Sequence, residues 1–193
     1  MSDRHAYRVW NEIEKVRTQM LKSEQVIDFV DYGSGLKQSD EKVRDERKVK
    51  NIAKGSLAKA KYAQMLFRLV NWLGHQMREG ENGLTIVELG TSLGVTTAYL
   101  AGVDTRDKVY TYEGCEAVAN IAKENWKVLG MNNIECFIGA IDEEVLQSGL
   151  ERVDVAFVDA NHTKEATLSY FDALAKKVDA KSVLVIDDIH YSE

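Results

Sequence analysis

One stretch of the chain, residues 86–97, decides the fold class. It reads Ile86-Val87-Glu88-Leu89-Gly90-Thr91-Ser92-Leu93-Gly94-Val95-Thr96-Thr97, which is an apolar run, a turn containing two glycines, and the start of a helix. Gly90 allows a tight turn, and Gly94 allows the following helix to pack close to the strand. In open α/β proteins such a turn lies at the carboxyl edge of the sheet, where ligands bind. The stretch therefore predicts an α/β sheet with a ligand site at this turn.

The chain beyond this stretch repeats the alternation of short apolar runs and helical segments. The predicted strands are Leu84–Leu89, Lys108–Glu113, Ile134–Ile138, Val153–Val158 and Val183–Ile186. The predicted helices are Thr96–Ala101, Glu116–Leu129, Glu143–Gln147 and Thr163–Lys177. Strands that alternate with helices are typical of a parallel sheet with right-handed crossovers. We predict a Rossmann-like, doubly wound, mostly parallel sheet over residues 81–193.

Residues 1–80 have a different pattern, which predicts a helical extension that packs on the sheet domain. Apolar residues recur at helical spacing in the first segment, at Val9, Ile13, Val16 and Met20. The period breaks at Ile27–Gly35, where glycines predict a turn or loop, and two more helices are expected before residue 80. Basic residues outnumber acidic ones from Lys37 to Lys61. We interpret this stretch as a solvated helix face, with a positive rim for an anionic ligand as the alternative.

The composition places the chain among ordinary folded proteins and excludes several function classes. The 193 residues are 45% hydrophobic and 29% charged, and no apolar run reaches the roughly 18–20 residues of a membrane span. The amino terminus has no apolar signal region, so we expect a cytoplasmic protein in which Cys115 and Cys136 stay reduced. The net charge of −6 argues against a general nucleic-acid binder.

The residues of the glycine turn favour one kind of nucleotide ligand over another. A dinucleotide fingerprint needs glycine at the position of Ser92, because backbone amides must approach a pyrophosphate closely. Glu88 before the turn suits a cation better than a pyrophosphate, and S-adenosylmethionine has an ammonium group, a sulfonium centre and no phosphate. Glu113, at the end of the second predicted strand, is placed to accept hydrogen bonds from ribose hydroxyls of either adenosine cofactor.

Together, Val87–Gly94 and Tyr112-Glu113-Gly114 resemble motifs of class I S-adenosylmethionine-dependent methyltransferases. The resemblance covers residues 84–193 and is to the O-methyltransferase branch, which includes catechol-type and bacterial small-molecule enzymes. It implies that Glu88 and the glycine turn surround the methionine end of the cofactor, with Glu113 at the ribose and Gly139-Ala140-Ile141 beside the adenine. The implied cofactor-binding residues are Glu88, Gly90, Thr91, Ser92, Gly94, Glu113, Gly114, Ala140, Ile141 and Asp159. In some relatives the helix before the first strand also contacts the cofactor, which here implies Ser56 or Gln64.

Acidic residues follow the fourth and fifth predicted strands and predict a second part of the site. Asp159 follows one strand, and Asp187 and Asp188 follow the other, so their carboxylates should meet at one edge of the sheet. Such oxygen ligands suit Mg²⁺, and in catechol-type relatives the matching positions hold that metal, with asparagine in place of Asp188. His162 and His190 flank these acids. The predicted catalytic residues are therefore His190, His162 and Asp159, with a metal at Asp159, Asp187 and Asp188.

The sequence leads to one expected function and several rivals. We expect methyl transfer from S-adenosylmethionine to a hydroxyl oxygen of a small molecule. Assistance by Mg²⁺ and a homodimeric assembly are further options that the sequence leaves open. A non-catalytic S-adenosylmethionine-binding subunit is one alternative, and a nucleotide-dependent oxidoreductase, which Ser92 and Glu88 oppose, is another. RNA methylation is supported only by the basic stretch. Relatives of this kind usually add an antiparallel strand pair after the fifth strand, and we expect that pair to be missing because the sequence ends early.

Overall fold

The protein consists of a central sheet with helices on its faces and a smaller amino-terminal hairpin. The structure is a computed structural model that describes residues 7–31, 43–78, 82–141 and 150–188. The helices in these ranges are α1 (Arg8–Lys22), α2 (Val49–Ser56), α3 (Ala60–Met77), α4 (Val95–Ala101), α5 (Glu116–Val128) and α6 (Lys164–Ala175). The strands are β1 (Val26–Asp31), β2 (Val43–Lys48), β3 (Thr85–Leu89), β4 (Lys108–Glu113), β5 (Ile134–Ile138), β6 (Val155–Val158) and β7 (Val183–Ile186).

The central sheet has five parallel strands in the order β5-β4-β3-β6-β7. The chain builds β4 and β5 on one side of β3 and then crosses to build β6 and β7 on the other. This reversal puts a topological switch point between β3 and β6, and ligands of open α/β sheets bind at the carboxyl ends of strands beside such a point. The prediction of a Rossmann-like parallel sheet is confirmed.

The strand and helix bounds agree with the sequence to within a few residues. The sixth strand begins two residues later than predicted, because the Val153 N–H donates to the Lys177 carbonyl instead of joining a neighbouring strand. The predicted helix Glu143–Gln147 lies outside the described residues. Cys115 and Cys136 are both free thiols. Among the described helices, none is long and apolar enough to cross a membrane.

The amino-terminal region contains a β-hairpin that the sequence analysis missed. Strands β1 and β2 pair antiparallel, so the loop predicted from Ile27 and the helix face predicted over Val43–Lys48 are both wrong there. Strand β2 is almost entirely charged and lacks the apolar alternation that would reveal a strand. Its stability comes from pairing with β1, for example through the Arg47 guanidinium, which lies 4.1 Å from the centre of the Phe29 ring.

Helix α1 joins the amino-terminal region to the sheet domain. It packs on α2 and on α4, the helix that directly follows the glycine turn. Trp10 of α1 and Phe67 of α3 meet edge to face at 5.4 Å between ring centres, and Tyr99 of α4 lies in the same buried cluster. The amino-terminal helices therefore pack against the element that positions the predicted ligand site.

Candidate active site

The glycine turn lies at the switch point and has an unusual backbone. Gly90, Ser92 and Gly94 have φ values of +98°, +48° and +75°. A Cβ atom at Gly90 would lie 1.9 Å from the carbonyl oxygen of Asp159, so a side chain there would clash with the loop after β6. The N–H groups of Gly90 and Thr91 donate to the Tyr112 carbonyl at 3.0 and 3.1 Å. The turn is thus held between the ends of β4 and β6.

Glu113 connects the glycine turn to the end of β4. Its Oε2 accepts the Ser92 N–H at 2.8 Å, and its Oε1 accepts the Cys115 N–H at 2.9 Å. Burial raises the pKa of the Glu113 carboxyl, and these backbone hydrogen bonds act in the opposite direction. The hydrogen bond from Ser92 also offsets the cost of its left-handed backbone, which is of the order of 1–3 kcal/mol for a residue other than glycine.

Glu88 lies behind the glycine turn and does not line the cavity in front of it. Its side chain is 0% exposed, and its Oε2 accepts hydrogen bonds from the hydroxyls of Thr97 and Thr111. The Thr111 hydroxyl is also 2.6 Å from that of Thr91, whose side chain is buried as well. Burial raises the pKa of Glu88 to about 8. Glu88 and Thr91 thus support the turn from behind, and Gly94 packs against Trp126.

A cavity of about 800 Å³ opens in front of the turn. Sequence-predicted residues on its wall are Gly90, Ser92, Glu113, Gly114, Ala140, Ile141, Asp159, His162, Asp187 and Asp188. The amino-terminal region supplies further wall residues that the sequence did not reveal, including Phe29, Val30, Leu57 and Ala58. No signal for them is present in the sequence, because contact between distant segments has no local pattern.

Ser56 and Gln64, which the resemblance suggested as cofactor contacts on the helices before β3, have different positions relative to the cavity. Ser56 lies on the cavity wall, and its Oγ is 2.6 Å from that of Ser92. Gln64 is not among the wall residues, and its side chain hydrogen-bonds Tyr99.

The acidic residues after β6 and β7 meet at one end of the cavity. His162 Nε2 lies 3.6 Å from Asp159 Oδ1 and 4.0 Å from Asp188 Oδ2. Burial raises the pKa of Asp159 to about 6, repulsion from Asp187 adds to the rise, and His162 opposes it. Asp188 has a left-handed backbone with φ +51°, and its N–H donates to Asp187 Oδ1 at 3.0 Å. His190, the other predicted catalytic histidine, lies outside the described residues.

The predicted magnesium site is not supported by this arrangement. Across residues 7–31, 43–78, 82–141 and 150–188, no three His, Cys, Asp or Glu side chains are grouped so that they could hold a metal ion. Asp188 turns its carboxylate largely to solvent, with 55% of the side chain exposed, while that of Asp159 faces His162. The three aspartates gather at the same edge, as predicted, but not as a set of ligands around one point.

The chain matches one protein family over the region that contains this site. Residues 87–189 match the family model described as a methyltransferase domain, which is more than half of the chain. The match begins at the glycine turn and extends past the aspartates after β7. The chain belongs to this methyltransferase family.

Individual relatives agree with the family. The O-methyltransferase imqG of Aspergillus flavus is 28% identical over 111 residues, which are 53% of this chain and 44% of that protein. An O-methyltransferase from Bacillus cereus, whose crystal structure is in complex with S-adenosylhomocysteine (SAH), is 20% identical in sequence. The two structures superpose with a TM-score of 0.66, over 97% of this chain and 69% of that one. The O-methyltransferase TomG from Streptomyces achromogenes, in complex with SAM, is 22% identical with a TM-score of 0.60, over 69% of this chain and 58% of that one. The chain spans less than half the length of the curated relative.

Proposed function

We propose that this protein binds S-adenosylmethionine in the 800 Å³ cavity and transfers its methyl group to a hydroxyl oxygen of a small molecule. The observation that carries the proposal is the charge of the cavity wall. Four carboxylates, those of Glu113, Asp159, Asp187 and Asp188, lie on the wall, and the described wall residues include no lysine or arginine. Such a wall suits a cationic ligand without phosphates and repels a dinucleotide, because it offers a pyrophosphate no counter-charge.

The cofactor would lie along the carboxyl ends of β3 and β4. Glu113 would accept hydrogen bonds from the ribose hydroxyls, and Ser92 and Ser56 would face the amino-acid end. Gly114, Ala140 and Ile141 would border the adenine. The names of the SAM- and SAH-bound structural relatives support this choice of cofactor.

When bound, the cofactor supplies a methyl group on a positively charged sulfur. It would supply this methyl group to the acceptor oxygen, with the electron pair of the carbon–sulfur bond left on sulfur, and the hydroxyl proton would pass to the protein. Asp159 would take this proton, because a carboxyl group with a pKa of about 6 is ionised at neutral pH yet basic enough to share a proton. His162 would orient Asp159 from 3.6 Å. Holding acceptor and methyl group in line supplies the rest of the rate enhancement.

The amino-terminal residues 1–80 would act as a cap on the domain formed by residues 81–193. Phe29, Ser56 and Ala58 of this region already lie on the cavity wall, which supports the assignment. The cap would shield the reacting centre from water and complete the wall of the cavity.

The first experiment is calorimetric titration of S-adenosylmethionine and S-adenosylhomocysteine into the protein, with EDTA present. We expect binding in the micromolar range and a loss of at least about tenfold in affinity for Glu113→Ala, since a ligand hydroxyl loses a charged hydrogen-bond acceptor. The matched control is Glu116→Ala, an exposed glutamate three residues further on that is not on the cavity wall.

Each result of this titration decides a part of the proposal. Binding that Glu113→Ala weakens and Glu116→Ala does not would support the cofactor site and justify a screen of hydroxyl acceptors. Binding that appears only when Mg²⁺ replaces EDTA would overturn the metal-free mechanism. No binding by the folded wild-type protein would overturn the proposed function.

A further inference from the structure

Arg17 is a charged residue buried in α1, away from the cavity wall. Its side chain is 10% exposed, and its guanidinium contacts Glu14 of the same helix and Ala58 between α2 and α3. The Nε atom donates to Glu14 Oε1 at 2.9 Å, and Nη1 donates to the Ala58 carbonyl oxygen at 2.6 Å. Removing a charged group from water is costly, so a buried arginine at this position needs both contacts.

The acceptor of the second hydrogen bond belongs to the cavity wall. Leu57–Lys59 link α2 to α3, and both Leu57 and Ala58 line the cavity. Directly before this linker, Ser56 contacts the glycine turn through the 2.6 Å approach of its Oγ to that of Ser92. The chain is therefore held at two places near the cavity, by Ser92 at Ser56 and by Arg17 at Ala58.

The other partner of Arg17 connects it to the far side of the glycine turn. Glu14 Oε1 also accepts a hydrogen bond from the Tyr99 hydroxyl at 2.8 Å. Tyr99 is fully buried in α4, the helix that begins at the end of the turn. Arg17 and Glu14 together thus connect the Leu57–Lys59 linker to α4, the helix that begins three residues after Ser92.

We propose that Arg17 is a positioning residue for the cofactor, holding the wall residues Leu57 and Ala58 at the distance from Ser92 that the amino-acid end of the cofactor requires. This inference rests on the proposed function. The effect of Arg17 is expected at the amino-acid end of the ligand, because Ala58, which Arg17 holds, lies two residues after Ser56, the residue proposed to face that end.

The test compares two ligands that differ at that end. S-adenosylhomocysteine has the amino-acid group, and adenosine lacks it. We expect Arg17→Met to weaken the binding of S-adenosylhomocysteine by about tenfold, because a wall segment that is no longer held in place must be ordered when the ligand binds, and to leave the affinity for adenosine within about twofold of wild type. Arg17→Lys keeps the positive charge but not the planar set of guanidinium N–H donors. We therefore expect a smaller loss of affinity for S-adenosylhomocysteine, again with little change for adenosine. Lys15→Met, which removes an exposed cation from the same helix, should change neither ligand.

A general loss of protein stability would weaken the binding of both ligands. The ratio of the two affinities therefore distinguishes a positioning role of Arg17 from a purely structural one. Should Arg17→Met fail to fold, the same ratio is measured on Arg17→Lys. An unchanged ratio in the folded variants would overturn the inference, even if their thermal stability fell. Failure of the wild-type protein to bind S-adenosylhomocysteine would instead overturn the proposed function.

Discussion

Glu88 shows how a single buried carboxyl group can link pH to stability. It is fully buried, and burial is the main cause of its pKa of about 8. One of its oxygens accepts two threonine hydroxyls, and the other, Oε1, has no hydrogen-bond partner among the described residues. The group is therefore largely protonated in the folded protein at neutral pH.

We expect the free energy of unfolding to fall as the pH rises from about 4.5 to about 8. The raised pKa means that the folded protein binds more protons than the unfolded chain across this window, and the contribution of one such group is at most about 1.4 kcal/mol per pH unit. Glu88→Gln should remove most of this slope. Urea unfolding of both proteins at several pH values measures it, and an equal slope in the variant would contradict this interpretation.

Asp159 gives a second prediction at the scale of the residue. Methyl transfer at saturating cofactor should increase as the pH rises through about 6, because the carboxylate must be ionised to accept a proton. His162→Gln should move the midpoint to higher pH, since His162 lowers the pKa of Asp159. Carbon NMR of the carboxyl group can follow the titration without an acceptor. A midpoint that does not move in the variant would remove His162 from this role.

At the scale of the element, the glycine turn and the helix after it depend on packing with α5. Gly94 and Gly130 have similar positive φ values, +75° and +68°, but different surroundings. A Cβ at Gly94 would lie 2.6 Å from Trp126 Nε1, the atom that donates to the Gly94 carbonyl, while a Cβ at Gly130 would meet nothing within 4 Å. The two positions therefore separate backbone strain from steric conflict.

We expect Gly130→Ala to lower the free energy of unfolding by about 1 kcal/mol, the cost of the left-handed backbone. Gly94→Ala should cost about 1–3 kcal/mol more, because Trp126 must move. Chemical denaturation gives both values, and Trp126 fluorescence should change only in the Gly94 variant. Equal losses in the two variants would mean that the helices adjust freely.

Some strands can be predicted from their own residues, and others depend on the strand beside them. Strand β6 is a continuous apolar run in which all four residues are buried, and such strands carry their own signal. Strand β2 reads Val43-Arg44-Asp45-Glu46-Arg47-Lys48, and charges of both signs spaced in this way suit a helix equally well. It is a strand because β1 lies beside it, and this partner is separated from it by eleven residues.

At the scale of the whole molecule, the carboxyl edge of the central sheet, where its strands end, and the amino edge, where they begin, have different roles. The carboxyl edge carries the cavity, whereas the amino edge carries a buried ion pair between Asp107 and Arg78. Asp107 is 0% exposed and also accepts the Leu84 N–H at 2.8 Å, which fixes the entry of the chain into β3. The contacts at this edge stabilise the fold without touching the proposed ligand.

We therefore expect Asp107→Asn to lower the free energy of unfolding by about 3 kcal/mol or more, since it leaves the Arg78 charge buried and poorly paired. Asp104→Asn, at a more exposed partner of Arg78, should cost less than about 1 kcal/mol. Denaturation and calorimetry on the same samples would check both parts of the prediction. A weakened affinity for S-adenosylhomocysteine in folded Asp107→Asn would show that the two edges are coupled.

The apolar runs and the glycine turn were enough to predict the parallel sheet and a cavity at its carboxyl edge, because they act through local backbone geometry. The sequence also identified most of the residues at the carboxyl edge, since strands in register bring their ends together. Only the tertiary structure decided that Glu88 faces the core, that Phe29 and Ala58 complete the cavity, and that the aspartates do not surround one point. These features depend on the distance between side chains of separate segments, which the order of residues along the chain does not contain.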